Sequence, residues 1–553
     1  MTRSTCQAWT LAVAILVMGG CGIAYEYTLS KVSSDLLGNS VRQWALVIAV
    51  MLFFMGVGAE VQRRVKDQAL MSALVGSQIL LALLGGFGPL LLILTFAWHP
   101  LNFGLVHYGL ISTCGLLIGL EIPLITRLNE AYAPTVSKNL GTVLRMDYGG
   151  ALIGGILWTF LLVPRFTISE TSLLLGFLTL AGALGCLVIF RHKTPRFLAL
   201  LVALIGSIAV LTFAFPRVNQ WSNHAEQALY RDAVVHTVTS PYQHIVLTES
   251  RAGNLRCYIN GHLQFSADDE YIYHELLVHP ALLLAEKKQR VLVLGGGDGL
   301  AVREVLKHPS VEHVTLVDLD QLVTDLARTH PQLVSLNQNA LTDSRVAIQP
   351  IPPVPSGKKA PLPGNPAAAR YAPNHQAPTI ELVHQDAASW IRQAHGSAYD
   401  VILLDFPDPS SPGLAKLYGL SFYGQLQKLL TPGGVICQQA TSPWHARPAF
   451  LCVGETMKAA GLAVLPLHAN VPSFGDWGWW LAVPEKQQSS DQLRSTLEKL
   501  TSIPVPTRYL DPDTMRASLT FGPGRLAGAG SRITTLNDPA IYFYYLQSWQ
   551  ENL

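Results

Sequence analysis

The feature that most constrains this chain is a series of seven apolar runs in its first 215 residues. A helix needs about 20 apolar residues to cross the roughly 30 Å of hydrocarbon in a bilayer. The runs lie near residues 8–29, 43–61, 70–98, 103–126, 148–164, 170–190 and 196–215. Charged residues make up only 14% of the 553 residues, whereas soluble proteins carry about 25%. We therefore predict a multi-pass α-helical membrane domain over residues 1–218, in contact with a lipid bilayer.

The number of spans decides on which side of the membrane the rest of the chain lies. The third run is interrupted by GGFGP at residues 85–89, so we expect either one kinked helix or two short pieces. Two pieces would raise the number of spans from seven to eight. Basic residues cluster in alternate loops, at Arg63, Arg64 and Lys66, at Arg127, Lys138 and Arg145, and at Arg191, Lys193 and Arg196. Such loops face the cytoplasm. Seven spans then place the remaining chain outside, and an eighth would return it to the cytoplasm.

Cysteine spacing and net charge limit the other partners. The seven cysteines are scattered and form no CxxC pair, so neither a metal site nor a disulfide framework is indicated. Cys21 follows an apolar run as LVMGGC, a loose match to a lipoprotein cleavage site, but a small residue packed between helices is the favoured interpretation. The net charge is +2 and no basic tract occurs, so nucleic acid is not expected as a partner.

From about residue 221 the pattern changes to that of a soluble α/β domain. SPYQHIVLTES (240–250) and LRCYINGHLQF (255–265) are typical of strands joined by a RAGN turn, which predicts a small β-hairpin subdomain over 221–285. Strand-like and helix-like segments then alternate over 286–490, which predicts a Rossmann-like, doubly wound parallel sheet. Residues 351–378 are rich in Pro and Ala and are expected as a flexible surface insertion. Residues 491–553 form a C-terminal extension.

A glycine turn follows the first strand of this sheet. VLVLG runs into Gly295, Gly296, Gly297, Asp298 and Gly299 and then a helix, which lets a ligand approach the main chain. Asp318 ends the next strand, where a carboxylate commonly binds the hydroxyls of a ribose. A tight structural turn is the alternative. Asp298 would repel a pyrophosphate at the start of this helix, so a positively charged ligand such as a sulfonium nucleoside or an amine is favoured.

A second acidic pair follows in LLDFPDPSSP. Asp405 ends a buried strand, and Asp408 follows between Pro407 and Pro409, which stiffen the loop. The two carboxylates are expected to face one pocket, where a bound ammonium would relieve their repulsion. The alternative is a solvated turn.

The second half of the chain resembles a known family. The segments that carry the resemblance lie between about residues 240 and 484 and are SPYQHI, INGHLQFSADDEYIYHELLVHP, VLVLGGGDGLAVREVLKHPSVEHVTLVDLD, HQDAASW, LLDFPDPSSP, FYGQLQKLLTPGGV and VPSFGDWGWW. They resemble spermidine synthases, the polyamine aminopropyltransferases, and in particular their membrane-attached bacterial members. The resemblance implies a transferase of alkyl groups other than methyl, moving an aminopropyl group from decarboxylated S-adenosylmethionine to putrescine or a related diamine. It implies no bound cofactor, no metal, and a homo-oligomer, most simply a dimer.

The resemblance also implies roles for particular residues. Those expected to bind the nucleoside donor are Gln243, Gly295, Gly297, Asp318, Asp386, Ala387 and Pro412. Those expected to bind the amine are Tyr273, His274, Asp298, Asp405, Asp408 and Gln439. Asp405 is the expected catalytic residue, because a protonated amine must lose its proton before its nitrogen can attack. Both substrates are cytoplasmic, so we expect a cell (inner) membrane protein whose catalytic domain faces the cytoplasm, although seven spans argue otherwise.

Two other functions are weighed. An S-adenosylmethionine-dependent methyltransferase would share the sheet, the glycine turn and Asp318, but it would not need several acids around the acceptor. A membrane polyamine transporter or sensor with a nucleoside-binding domain would use Glu26, Glu60, Glu121 and Asp147, which lie in or beside the apolar runs. The alternative for these four acids is a position near helix ends, paired with adjacent arginines.

Overall fold

A computed structural model describes residues 3–37, 40–133, 135–342, 346–348, 378–394, 396, 398–527 and 532–551. It divides into two compact units, Met1–Thr248 and Glu249–Leu553. The division falls inside the predicted subdomain 221–285, whose boundaries stay predictions. The predicted insertion 351–378 lies outside the described residues except for its last position.

The first unit is helical. Its α-helices are α1 (Arg3–Leu37), α2 (Ser40–Val61), α3 (Leu70–Trp98), α4 (Phe103–Gly119), α5 (Glu121–Asn129), α6 (Val136–Leu157), α7 (Ile168–Ile189), α8 (Phe197–Ala214) and α9 (Val218–Gln227). Short 3-10 turns cover Gln62–Arg64, Asp67–Ala69, Pro100–Asn102 and Arg191–Lys193, and a π-helical turn covers Trp158–Leu162. Strands β1 (Ala233–Thr239) and β2 (His244–Glu249) follow.

Six helical segments in the described residues are long and apolar enough to span a membrane. They are Cys6–Leu37, Val41–Arg64, Asp67–Trp98, Pro100–Asn129, Ile168–Ile189 and Phe197–Ala214. The fifth predicted run, 148–164, is not among them: residues 148–157 are the end of α6, which also carries Lys138, Arg145 and Asp147, and a π-helical turn follows at Trp158–Leu162. The third run forms one continuous helix with Pro89 inside it, so the alternative of two short pieces is wrong.

Glycines bring α1 and α6 into close contact. A Cβ atom on Gly150 would lie 1.9 Å from the carbonyl oxygen of Leu16, and one on Gly154 would lie 2.3 Å from that of Gly20. No side chain fits at either position, since real Cβ atoms do not approach backbone oxygens below about 3 Å. The glycines of the segment GGALIGG (149–155) therefore set the spacing of these two helices.

The second unit alternates strands and helices. Its strands are β3 (Leu255–Ile259), β4 (His262–Ser266), β5 (Arg290–Gly295), β6 (His313–Asp318), β7 (Val346–Ile348), β8 (Thr379–His384), β9 (Tyr399–Asp405), β10 (Leu430–Gln439), β11 (Leu462–Val471) and β12 (Gly475–Pro484). Its helices are α10 (Glu270–Leu284), α11 (Leu300–Val305), α12 (Gln321–Thr329), α13 (Pro331–Leu336), α14 (Ala387–Gln393), α15 (Pro412–Ala415), α16 (Leu420–Leu429), α17 (Arg447–Ala459), α18 (Ser490–Glu498), α19 (Pro512–Ser518) and α20 (Ala540–Glu551), with a 3-10 turn at Lys416–Tyr418.

An eight-stranded sheet forms the frame of this unit, in the order β11-β12-β10-β9-β5-β6-β8-β7. The pairs from β10 to β7 are parallel, whereas β12 runs antiparallel to both β10 and β11. The sheet is therefore mixed, not wholly parallel as predicted. Alternate residues of β5 enter opposite cores: Val291 and Val293 join one, and Leu292 and Leu294 join the other. Both faces are covered, so the predicted doubly wound, Rossmann-like arrangement is confirmed.

The segment 255–265 differs from the prediction. It contains two strands, β3 and β4, joined at Asn260 and Gly261, whose φ angles are 51° and 80°. An Asn-Gly pair with both φ values positive makes a tight two-residue hairpin. LRCYINGHLQF is thus a complete hairpin.

The C-terminal extension belongs to the core of the second unit. Leu493, Leu510 and Met515 pack into the first core, and Ile541 and Tyr542 of α20 pack into the second. Because α20 packs against α17, the last helix is held by the sheet domain and stabilises it.

Candidate active site

The predicted site residues of the second unit gather at one edge of the sheet. Gly295 ends β5, Asp318 ends β6, Asp405 ends β9 and Gln439 ends β10. Gly295 is directly paired with Asp405 in the parallel register. Carboxyl ends of parallel strands share one edge, which is where doubly wound sheets bind their ligands.

The glycine turn is packed against Asp405. Gly295 and Gly296 have φ angles of 79° and 69°. A Cβ atom on Gly296 would lie 2.7 Å from the Oδ2 atom of Asp405, and one on Gly295 would lie 2.2 Å from its carbonyl oxygen. Both the positive φ and the close approach require glycine here. The turn therefore brings the backbone of the first strand end against the predicted catalytic carboxylate.

Asp318 is tied to the same turn. Its Oδ2 atom accepts a hydrogen bond from the backbone N–H of Gly297 (3.0 Å), and its Oδ1 atom accepts one from the N–H of Asp320 (2.8 Å). Burial raises the pKa of Asp318 to about 6, although these two donors favour the charged form. The carboxylate is thus fixed beside the glycine turn, as a residue binding two ribose hydroxyls requires.

Asp298 lies in the glycine turn, two residues before α11 begins at Leu300. Its Oδ1 atom accepts a hydrogen bond from the N–H of Leu300 (2.9 Å). Burial raises the pKa of Asp298 to about 6, and the charge of Asp405 adds to this increase while that of His274 opposes it. These electrostatic interactions place Asp298 in one cluster with Asp405 and His274.

Two side chains of α10 face Asp405. The Tyr273 hydroxyl donates a hydrogen bond to Oδ1 (2.7 Å), and the Nε2 atom of His274 lies 3.9 Å from Oδ2. Burial, together with the negative charges of Asp405 and Asp408, raises the pKa of Tyr273 well above its usual value. Tyr273 therefore stays a hydrogen-bond donor to Asp405 at physiological pH.

His274 is held as a cation by residues behind it. Its Nδ1 atom lies 2.8 Å from the Oε2 atom of Glu270, whose carboxylate also accepts two hydrogen bonds from Arg303 (2.7 and 2.9 Å). Burial disfavours the imidazolium, but the hydrogen bond and charge of Glu270, with the charges of Asp405 and Asp298, raise the pKa of His274 to about 9. A protonated His274 places one positive charge beside the acidic cluster.

Asp408 is held by three neutral donors. The Thr441 hydroxyl donates to Oδ2 (3.2 Å), the Gln439 amide donates to Oδ1 (3.4 Å), and Tyr545 of α20 also hydrogen-bonds to this carboxylate. Burial raises the pKa of Asp408 to about 6, and the three donors oppose that increase. The Gln439 amide also donates to the carbonyl oxygen of Phe406 (2.5 Å), so it fixes the loop that carries Asp408.

Asp386 and its neighbours form a separate polar contact at the same sheet edge. Asp386 caps α14 by accepting a hydrogen bond from Ser389 N (2.8 Å), and its other oxygen accepts one from Lys416 Nζ (2.7 Å). Burial raises the pKa of this carboxyl, but Lys416 and Ser389 outweigh burial and lower the pKa below its usual value. Ala387 is the first residue of α14, and Pro412 is the first residue of α15, four positions before Lys416.

Gln243 lies in the first unit, in the turn between β1 and β2. Its carbonyl oxygen accepts a hydrogen bond from Ser240 N (2.9 Å). Its predicted contact with the donor stays a prediction. Among the described residues, no group of three His, Cys, Asp or Glu side chains could hold a metal ion.

Four residues of this site were missed from the sequence: Glu270, Arg303, Thr441 and Tyr545. Glu270 lies four residues before the predicted His274 on one helix, a spacing that could have identified it. Arg303, Thr441 and Tyr545 gave no comparable signal, because tertiary packing alone brings them to the site. Tyr545 is the most distant, 137 positions beyond Asp408.

The fold and the site define a class. A Rossmann-like sheet carries a glycine turn, a carboxylate beside that turn, and three more carboxylates around the end of the adjacent strand. Such a site can hold a nucleoside at the glycine turn and a cationic group beside the acids, which defines a class of nucleoside-binding enzymes with a cationic second ligand.

Comparison with known proteins identifies the family. The sequence model of the spermine/spermidine synthase domain matches residues 270–350 and 367–494. Polyamine aminopropyltransferase 2 of Ralstonia nicotianae is 38% identical over 98% of this chain and 98% of its own length, and polyamine aminopropyltransferase 1 of Streptomyces coelicolor is 36% identical over 98% and 94%. The crystal structure of spermidine synthase from Thermotoga maritima covers 52% of this chain and 85% of that chain, with 21% identity and a TM-score of 0.40. The chain belongs to the polyamine aminopropyltransferase family.

Family membership confirms two predictions made from the motifs, the family itself and the enzyme class, a transferase of alkyl groups other than methyl. The methyltransferase alternative is set aside for the same reason. The relatives span almost the whole chain, so they include its helical unit as well.

Proposed function

We propose that the second unit transfers the aminopropyl group of decarboxylated S-adenosylmethionine to putrescine, giving spermidine and methylthioadenosine. The observation that carries this proposal is the cluster of Asp298, Asp405 and Asp408 around the glycine turn, in a chain of the aminopropyltransferase family. A sulfonium donor and a diammonium acceptor are both cations, and several partly buried carboxylates can balance them.

The donor is assigned to the glycine turn. Asp318 binds the ribose hydroxyls, since the backbone N–H of Gly297 already fixes its carboxylate beside the turn. Asp386, Ala387 and Pro412 line the nucleoside side of the site, at the ends of β8 and β9. Gln243 is proposed as a further donor contact on the resemblance alone.

The acceptor is assigned to the acidic cluster. Asp298 and Asp408 bind its ammonium groups, and Gln439 orients Asp408. Tyr273 and His274 act on Asp405. The Tyr273 hydroxyl donates to Oδ1 and fixes the carboxylate's orientation, while His274, whose Nε2 atom lies 3.9 Å from Oδ2 and makes no hydrogen bond to it, contributes positive charge. Oδ2 is therefore assigned the amine proton. A protonated histidine has no free acceptor for an ammonium, so we assign His274 to positioning and not to direct amine binding.

The chemical step needs one proton transfer and one displacement. Asp405 accepts a proton from the attacking ammonium, whose nitrogen lone pair then forms a bond to the methylene carbon beside the sulfonium. The carbon–sulfur bond breaks, and its electrons neutralise the sulfur in methylthioadenosine. The excess proton leaves from Asp405. Much of the rate enhancement comes from aligning the two cations.

Product analysis tests this proposal. The full-length protein in nanodiscs, incubated with decarboxylated S-adenosylmethionine and putrescine, is expected to release equal amounts of methylthioadenosine and spermidine. Release of S-adenosylhomocysteine from S-adenosylmethionine, with no spermidine, would contradict it. Replacing putrescine with longer and shorter diamines measures the acceptor preference.

We also propose that the helical unit lies in the cell (inner) membrane and that the second unit faces the cytoplasm, where both substrates are made. If all six candidate helices cross the membrane, their even number would return the chain after α8 to the side of the basic loops at 63–66 and 127–145, which supports this topology. The basic residues at 191–196 then fall on the opposite side, which is the feature that opposes this topology. A reporter fused after Leu553 tests it: cytoplasmic reporter activity is expected, and periplasmic activity contradicts it. A homodimer stays a prediction, checked by the mass of the purified protein.

A further inference from the structure

Two of the four acids singled out in the apolar runs, Glu60 and Glu121, have different surroundings. Glu60 lies on the surface and pairs with Arg63 (3.1 Å), with 65% of its side chain exposed. Glu121 is only 1% exposed, and no ion pair reaches it within the described residues. The nearest arginine in sequence, Arg127, instead hydrogen-bonds to Gln62 and Asp67. Pairing with adjacent arginines therefore explains Glu60 and does not explain Glu121.

The surroundings of Glu121 do not balance a charged carboxylate. Glu121 is the first residue of α5, which continues directly from α4 through Leu120, so no free helix end lies beside it. Its Oε1 atom accepts a hydrogen bond from the Nε2 atom of Gln78 on α3 (2.9 Å). Asp147 of α6 interacts with it electrostatically and adds a second negative charge to the same interior. A carboxylate so far from water binds a cation strongly if one is supplied.

Another buried oxygen beside Glu121 has no partner. Gln78 and Tyr25 are both fully buried, and the Gln78 Oε1 atom makes no hydrogen bond. The Tyr25 hydroxyl interacts electrostatically with Glu121 and hydrogen-bonds to the side chain of Thr179. An unpaired buried acceptor is costly, and one next to a carboxylate without a counter-charge favours a positively charged ligand that donates hydrogen bonds.

We propose that Glu121, Gln78 and Tyr25 form a binding site for an alkylammonium group inside the helical unit. A primary ammonium carries three N–H donors and one charge, which matches one carboxylate and the oxygens of Gln78, Tyr25 and Thr179. The choice of an alkylammonium over a metal cation rests on the proposed aminopropyl transfer, whose acceptor and product are both of this class. All residues of this site belong to the first unit, whereas those of the catalytic cluster belong to the second.

The test is equilibrium binding of radiolabelled putrescine and spermidine to the full-length protein in nanodiscs. The wild-type protein is expected to show two classes of site, one of them in the helical unit. Glu121→Gln is expected to lose one class and to keep aminopropyl transfer. Glu60→Gln, a matched change at an exposed acid, keeps both. Unchanged binding in Glu121→Gln overturns the proposal.

A second variant covers the case in which Glu121→Gln does not fold. Tyr25→Phe removes a single oxygen. We expect the affinity of the helical-unit site for putrescine and spermidine to fall about tenfold, because a hydrogen bond to a charged group is lost. An affinity equal to that of the wild type overturns the proposal. A site that binds radioactive sodium and is not displaced by putrescine overturns the ammonium assignment. If the wild-type protein transfers the aminopropyl group but shows only one class of amine-binding site, this inference is wrong and the proposed function stands. If the wild-type protein shows no transfer but binds amines in a way that depends on Glu121, the proposed function is wrong and this inference stands.

Discussion

Replacing Asp298 with asparagine should make the unliganded enzyme more stable and the enzyme–amine complex weaker. Burial raises the pKa of Asp298 from its usual 3.8 to about 6. An acid whose pKa is higher in the folded than in the unfolded state lowers the free energy of unfolding at every pH at which the acid is charged. At roughly 1.4 kcal/mol per pH unit, the cost is about 3 kcal/mol.

The pH dependence of this effect has a definite sign. Above about pH 6 the folded protein carries the full cost of the charged carboxylate, whereas below pH 3.8 both states are neutral and the cost disappears. Asp298→Asn keeps an oxygen to accept the hydrogen bond from Leu300 N. The variant should therefore gain up to about 3 kcal/mol near pH 8 and almost nothing near pH 4.

Hydrogen exchange measures this in the intact protein. Backbone amides of β5 and β9 report opening of the second unit, and their protection should rise up to roughly a hundredfold at pH 8 in Asp298→Asn. Added putrescine should protect the wild type more than the variant, since the amine loses one counter-charge. Glu455→Gln, a surface change at a residue paired with Lys458, is the control. Lower protection of the variant at pH 8, or the same gain at pH 4, would refute the reasoning.

Three further changes test the site. Asp405→Asn should lower kcat by about 10² to 10⁴ while donor binding is kept, because the amine proton has no acceptor; a kcat within threefold of the wild type contradicts this. Gly296→Ala should lower kcat/KM at least about tenfold, since its Cβ would lie 2.7 Å from the Asp405 carboxylate at a φ of 69°, whereas Gly424→Ala, with open space around it, should have no effect. Tyr545→Phe should raise KM for putrescine about tenfold and shift the acid limb of its pH profile to higher pH, because Asp408 loses a donor; Tyr544→Phe, on the same helix, should do neither.

Much of the sheet and of its ligand edge could be predicted because both depend on local patterns. Short apolar runs followed by glycine or aspartate mark the carboxyl ends of parallel strands, and these ends must share one edge. Gly295, Asp318 and Asp405 were placed correctly on that basis. The antiparallel strand β12 was not recognised, because GDWGWWLAVP has the apolar composition of any buried strand and its direction depends on its pairing with β10 and β11.

The helical unit shows a different limit of sequence reasoning. Apolar length predicts where helices occur, but it does not predict that Pro89 is accommodated within one continuous helix. Nor does it tell a surface acid from a buried one. Glu60 and Glu121 both lie near the ends of apolar runs, and only their tertiary neighbours, Arg63 for one and Gln78 for the other, separate them.

The charge balance of the catalytic cluster joins these observations. Four partly buried carboxylates at one sheet edge would repel one another strongly, and the raised pKa values of Asp298, Asp318 and Asp408 reflect the cost of that burial. One permanent cation, His274, is held beside Asp405 by Glu270 and therefore offsets part of this charge before any substrate arrives. Under the proposed function, the sulfonium donor and the ammonium acceptor balance the remaining negative charge. Each cation reduces the repulsion among the carboxylates, but the two cations repel each other. The proposed assignment of the donor to Asp318 and of the acceptor to Asp408 would keep these two charges apart, while Asp405 takes the amine proton.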